Sequence, residues 1–473
     1  MSSKLSRRAV TLLVVAGLLL VAALLDRGGA SVAAQRALAP GAGLPTRSPA
    51  TSSWYCAEGT SDPKGRADET LYLANAGTSA THAVISVSTG NGRTPATRAV
   101  TVAPRTTITL PVSSIAVTPN PGVTVESTGG RLVVSHGVRA DGDLAVGPCA
   151  PDVASSWHFA EGTTRQGIEL TLALYNPLRQ DAIVDISFLT PEGPQIPDHL
   201  QGVVIPARTQ VTYSLDDQLG RQPLVSTEVL ARRGSVVAEQ SMAFDGTTGV
   251  RGIGLTLGAE EPSRVWYFPT GEQSSRVAQG FTIANPGNAS ANVTVQISLD
   301  GGAKVEPIHL NLPDHSAMPV DMGRVPPNIG YSVTITSDQP VTAETLITST
   351  ASGTNRARGA ALSGGGDLPA QRWFVTPAPI GNGSDVVAVM NPGTGSAHLS
   401  ASVLSAGTQR RLDLADHRVV GAGQRVRIDL VGMHVPAGSV VVISSDEPVV
   451  VDRLASSVPG LTLTPALPEL TSS

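Results

Sequence analysis

Trp157-His-Phe-Ala-Glu-Gly-Thr163 is a text the chain writes more than once. Trp54-Tyr-Cys-Ala-Glu-Gly-Thr60 is nearly the same, and Trp266-Tyr-Phe-Pro-Thr-Gly-Glu272 and Trp373-Phe-Val-Thr-Pro377 are weaker echoes. These four are all the tryptophans among 473 residues, and they stand 103, 109 and 107 residues apart. A fixed long period outranks every other reading of a chain. It divides this one into four units of ordinary domain size, expected at 54–150, 157–258, 266–363 and 373–468.

The second unit is the most regular. Ile168, Leu170, Leu172 and Leu174 alternate with Glu169, Thr171 and Ala173, the period of two that marks a half-buried strand. Asn176-Pro177 ends that run, because proline cannot donate to a ladder. Ala182, Val184, Ile186 and Phe188 predict the next strand, Val203 to Ile205 a third, then Val211, Tyr213 and Leu215. Thr227 to Leu230 and Val236 to Met242, around Arg232-Arg-Gly234, predict a closing hairpin. The other units lie over this one. Leu71-Tyr-Leu-Ala-Asn75, Phe281-Thr-Ile-Ala-Asn-Pro286 and Val387-Ala-Val-Met-Asn-Pro392 match Leu172-Ala-Leu-Tyr-Asn-Pro177, with the asparagine 18 to 21 residues after its tryptophan. Ser337-Asp-Gln-Pro-Val341 and Ser444-Ser-Asp-Glu-Pro-Val449 predict the same late turn. About seven short strands per unit, with no helical periodicity after the amino terminus, predict an all-β chain. The expectation is four tandem antiparallel β-sandwiches of immunoglobulin-like type following an apolar N-terminal helix. A propeller is the competing arrangement, but its blades run about 40–50 residues, half of these units.

Asn-Pro-Gly between alternating strands, at Asn285-Pro-Gly287 and Asn391-Pro-Gly393, resembles bacterial surface immunoglobulin-like modules. Together with Trp-x-Phe-Ala-Glu-Gly-Thr and a closing Val-x-Ala-Glu strand, it is similar to an uncharacterised family of exported actinobacterial proteins built from such repeats. The resemblance covers about residues 54 to 468 and is carried best by the first two units. It implies export and a repeated sandwich, and no activity.

The formal charge is −5, and without the first 34 residues it is about −8. A mildly acidic body with no basic stripe excludes nucleic acid as a partner, since that binding rests on Lys and Arg against phosphate. Lys4, Arg7 and Arg8 precede an uncharged run from Ala9 to Leu25. The pattern predicts export, with residues 1–34 either a cleaved signal peptide (Val32-Ala-Ala34 before Gln35) or a membrane anchor. Residues 35–53, rich in proline and glycine, read as a flexible, disordered linker lifting the first unit off the membrane. The body is therefore expected on the extracellular side of the cell membrane, anchored or secreted.

Candidate chemistry is sparse. Cys56 and Cys149, the only cysteines, stand at the two ends of the first unit, and in an exported chain an isolated pair predicts a disulfide. Closing such a loop is worth about 4–5 kcal/mol on the chain-entropy account. Glu58 and Glu161 follow the tryptophan motif, and Glu239, Glu344 and Asp452 recur at one place of the closing strand, where the first unit has Ser135. Paired carboxylates can serve as general acid and base. Repetition favours a structural device instead: a solvated face, or partners for an arginine such as Arg453. These five are the candidate binding residues. The histidines lack ligand spacing, and neither a nucleophile nor a phosphate-loop motif occurs; Gly252-Ile-Gly254 is mis-spaced for a dinucleotide loop. No catalytic residue, metal ligand or cofactor is expected. Trp54, Trp157, Trp266 and Trp373 read as core plugs in an aromatic-poor interior, with exposed sugar platforms as the alternative. The chain is expected to be a non-enzymatic scaffold or protein-binding protein of the cell envelope, its modules in a stiff row joined by Pro151 to Ser156, Glu260 to Val265 and Gly364 to Arg372. The second expectation is an accessory protein that binds envelope carbohydrate.

Overall fold

The computed structural model describes residues 44–45, 51–65, 67–90, 93–129, 131–140, 143–303, 305–350, 358–377, 383–457 and 460–470. The expected export segment, the apolar N-terminal helix and most of the linker lie outside them. Thr51-Ser-Ser53, expected as linker, opens the strand Thr51–Cys56. Among the described residues the chain is all-β, and no helix is long and apolar enough to cross a membrane.

The second unit shows how each module is built. One sheet orders Ser156–Phe159, Ser226–Arg233, Ala182–Thr190 and Gly193–Gln195, with Val203–Ile205 also on the third strand. The other orders Thr209–Ser214, Ile168–Asn176, Val237–Asp245 and Arg251–Leu257. The two sheets share one apolar cluster, in which Trp157, Phe159, Leu172, Ile186, Phe188 and Val229 are all buried. Taking Gly193–Gln195 and Val203–Ile205 together as the fourth strand, the second still pairs with the fifth and the third with the sixth, as in an immunoglobulin domain. The first strand joins the sixth, however, and the seventh joins the second. The immunoglobulin-like expectation is corrected to that extent, and the other three modules repeat this order.

The expected closing hairpin is also corrected. Ser226–Arg233 and Val237–Asp245 do not pair with each other; the chain crosses between sheets there. In the third and fourth modules the crossing is a bend inside single long strands, Tyr331–Thr350 and Val440–Ser457. Pro340 and Pro448 stand in the bend, where no ladder partner is lost. The true hairpin joins the seventh strand to an eighth that the periodicity did not single out.

These eighth strands, Asp143–Pro148, Arg251–Leu257, Arg358–Gly364 and Gly460–Pro465, face one another in the middle of the molecule. A Cβ added to Gly252 would lie 2.6 Å from the Cα of Gly359, one on Gly359 2.9 Å from the nitrogen of Leu461, and one on Gly460 2.6 Å from the oxygen of Leu144. Gly147, on the strand that holds Leu144, meets the Leu255 side chain and returns the circuit to the second module. The modules thus form a closed, propeller-like ring in one compact body, and the expected stiff row is overturned. Blade length had argued for the row because a usual blade is a single sheet; here each blade has two layers. Gly252-Ile-Gly254 therefore has a structural role at the centre, where only a bare backbone fits.

The connectors keep the modules side by side. After each inner strand the chain pairs back on its own module's first strand, through Tyr55 with Ala150, His158 with Ala259 and Tyr267 with Gly366. In the fourth module this tail becomes the strand Leu467–Leu470, which pairs with Ala370–Val375 and, in parallel, with Leu44–Pro45. The two ends of the described body meet there.

Candidate functional site at the module seams

The recurring acids sit on the seventh strand, opposite the residue three before the motif asparagine. The pairs are Ala173 with Glu239, Thr282 with Glu344, Ala388 with Asp452, and Tyr72 with Ser135. That strand is covered on both sides, by its own core and by the preceding module. Glu239 and Glu344 are each 1% exposed and Asp452 7%, so the solvated-face reading does not describe them.

Each acid holds the tryptophan motif of the module before it. The amides of Ala57 and Glu58 donate to Glu239 Oε2 at 2.9 and 2.6 Å. The amide of Glu161 donates to Glu344 Oε2 at 2.7 Å. The amide and hydroxyl of Thr270 donate to Asp452 at 3.0 and 2.6 Å. A carboxylate on N–H donors makes a charge-assisted bond stronger than a neutral one. Burial opposes the charge: it pushes Glu344 up to about 8 and Asp452 up to about 7. Glu161, which accepts from the Thr282 hydroxyl across the same seam, is pushed up to about 7, again mainly by burial. Arg453, the arginine expected beside Asp452, is buried on Asp385 instead, at 2.7 Å.

The seam between the first and second modules gathers buried acids around a histidine. Glu58, Glu69, His136 and Glu239 are all buried. His136 Nδ1 is 3.0 Å from Glu69 Oε1, and Nε2 is 3.3 Å from Glu239 Oε1. The neighbouring carboxylates outweigh desolvation and push His136 up to about 10; burial pushes Glu69 up to about 7. Cys56 and Cys149 are disulfide-bonded, and His136 lies beside them. Among the described residues these three form the one grouping close enough for a metal ion, and the disulfide occupies its two sulfurs; no sequence spacing announced it, because the histidine comes from a different strand.

The fourth seam is built differently. Ser135 replaces the acid, and its hydroxyl is buried without a hydrogen bond. Apolar packing takes over, with Phe374, Leu404, Val440, Val442 and Leu467 joining the first module's cluster. Arg131 pairs with Glu469, and the Thr464 hydroxyl donates to the carbonyl of Val146 at 3.1 Å.

Trp54, Trp157, Trp266 and Trp373 are 1%, 0%, 4% and 3% exposed, so none offers a face to a sugar. The indoles of Trp157, Trp266 and Trp373 donate to Val236, Val341 and Val449 carbonyls, three residues before each acid, at 2.9, 2.7 and 2.9 Å. The motif asparagines do more than end a strand. Asn176, fully buried, donates to the carbonyls of Gln180 and Ile205 and accepts from Leu178, at 2.9, 2.9 and 3.0 Å. Asn75, Asn285 and Asn391 repeat this.

Two clefts open at seams. One, of about 280 Å³ between the third and fourth modules, is lined by Glu272, Ser274, Arg276, Ser349, Ser384, Ser456 and aliphatic residues. The other, of about 340 Å³ between the second and third, is lined by His158, Glu228, Pro286, Asn288 and Pro340 among others. Burial pushes His158 down to about 4 and Glu228 upward.

The class so defined is a closed all-β ring with acid-on-amide seams. Residues 133–365, a little under half of the chain, match the model of a family of unknown function, DUF5719. That stretch runs from the seventh strand of the first module to the end of the third. No curated protein matches the chain. A solved Thermotoga maritima protein, Thermotoga maritima 1070, is 18% identical over 22% of this chain and 93% of its own, with a TM-score of 0.20. The Anabaena sensory rhodopsin transducer is 20% identical over 18% of this chain and 82% of its own, at 0.17. A Streptomyces avermitilis α-L-rhamnosidase is 8% identical over 72% of this chain and 44% of its own, at 0.15. At these scores the likenesses carry no argument about activity.

Proposed function

We propose that the protein is a non-enzymatic scaffold of the cell envelope, a ring of four copied sandwich modules that presents its outer surface to another envelope protein. One observation supports the reading above others: Glu239, Glu344 and Asp452, the carboxylates that recur through the chain, are occupied with backbone amides inside the seams. An acid held this way supports rigidity rather than acid–base work by these three carboxylates. The basic Lys4, Arg7 and Arg8 before Ala9 to Leu25 support export, with residues 1–34 as signal or anchor. Cross-linking in intact cells, followed by purification through the ring, tests it. A specific envelope protein captured by the intact chain, and not by a seam-broken Glu344→Lys variant, is expected; capture of none, or turnover of any substrate, sinks the reading.

The second reading is binding of envelope carbohydrate. The serine-lined cleft between the third and fourth modules favours it, since hydroxyls and Arg276 suit sugar hydroxyl groups. The buried indoles would not report such binding, so calorimetric titration with envelope glycans is the measurement. Heat that disappears on Ser384→Leu would move the assignment to this reading.

A further inference from the structure

In every module the residue after the tryptophan stands at the seam with the next module. Tyr55 packs against the second module's cluster, Tyr267 against the fourth's, and Phe374 lies within the first's. Opposite these rings, on the neighbouring strand, stand Thr124, Thr334 and Val442. The second module alone places a polar pair there, His158 opposite Glu228. The third module meets that pair with little bulk. Ala284 precedes its motif asparagine, where the second module has Tyr175, whose hydroxyl is hydrogen-bonded to Thr124 at 2.8 Å. The seam of the second and third modules lacks these rings, and it holds a cleft of about 340 Å³.

The polar lining of the cleft is His158, Glu228, Asn288 and Gln339, and three prolines, a glycine and an alanine make up the rest. Nδ1 of His158 lies 3.5 Å from Oε1 of Glu228. Burial keeps the imidazole neutral, pushing it down to about 4, so it does not balance the carboxylate. Ser187 donates to the other oxygen at 3.3 Å, and His315 acts on the charge from the third module. Neither lysine nor arginine is among the described residues that line the cleft. A half-buried carboxylate of this kind gains most from a cation that brings its own N–H donors. A guanidinium fork takes both oxygens of a carboxylate at once. Here one oxygen is turned to His158 and the other to Ser187. An ammonium is a compact charge whose three donors turn to separate acceptors, and proline faces suit the carbon stem behind it.

We propose that the cleft between the second and third modules binds one alkylammonium group, with Glu228 as its counter-charge and His158 and Gln339 as further acceptors.

The full chain is titrated calorimetrically with Nα-acetyl-lysine methylamide, with butylammonium, and with the Nε-acetylated lysine derivative as the uncharged control. One equivalent of either amine is expected to bind, and none of the control. Glu228→Gln, which keeps the size of the side chain, should weaken binding roughly tenfold to a hundredfold. His158→Tyr, which restores the ring of Tyr55 and Tyr267, should abolish binding while the thermal midpoint holds or rises. Tighter uptake of the lysine derivative supports the site with a protein side chain as its source; tighter uptake of butylammonium supports it with a free amine. Absence of heat with both amines overturns the site, as does equal binding of the acetylated control. Binding like the parent's by Glu228→Gln or by folded His158→Tyr overturns it too.

Discussion

A carboxyl group held by amides inside a seam makes stability depend on pH in a definite direction. Glu344 titrates near 4.5 in the open chain and at about 8 when folded, because burial favours its neutral form. The folded state therefore binds the extra proton, and its stabilisation is complete below about pH 4.5 and lost as pH rises through about 8. Urea midpoints should fall across that window, and Glu344→Gln, which keeps an oxygen for the Glu161 amide, should flatten the fall. An unchanged slope would mean the carboxyl is not buried as described. Asn176→Ala should cost about 1–3 kcal/mol, since it strands the carbonyls of Gln180 and Ile205, and the urea midpoint reads that loss. The sequence announced these positions without their roles. Glu239 on an alternating strand looks the same whether it faces water or a neighbouring module, because a period of two distinguishes two faces and not what covers them.

At the scale of the strand, the inner hairpin decides how modules meet. Gly252→Val should cost about 1–3 kcal/mol or more through overpacking against Gly359. Gly280→Ala, where nothing lies within 4 Å, is the control and should be close to neutral. Thermal denaturation of the pair checks this, and equal effects would deny the close approach. Strand existence was legible from runs such as Ile168 to Leu174. Partner choice was not: Thr227 to Leu230 and Val236 to Met242 read as a hairpin because both alternate around a tight turn. A crossing between sheets leaves the same local pattern. Gly252-Ile-Gly254 reads in the sequence only as a mis-spaced dinucleotide loop; glycine weakens a strand unless another backbone must come close, and only the assembled ring shows that it does.

For the whole molecule, four tryptophans at near-equal spacing gave the number of modules, while closure was invisible because no repeat text records which module touches which. Leu467, buried in the cluster that the fourth module shares with the first, tests closure. Leu467→Asp should raise the radius of gyration in X-ray scattering while the strand signal in circular dichroism persists; an unaltered radius would mean that this joint does not hold the ring. The three bare glycine positions on the axis carry a further implication. They set how near each inner strand lies to the next, and so fix the angle each module occupies. Copy number is then a property of shape: a descendant that lost or gained one module could not close, however well its modules folded singly.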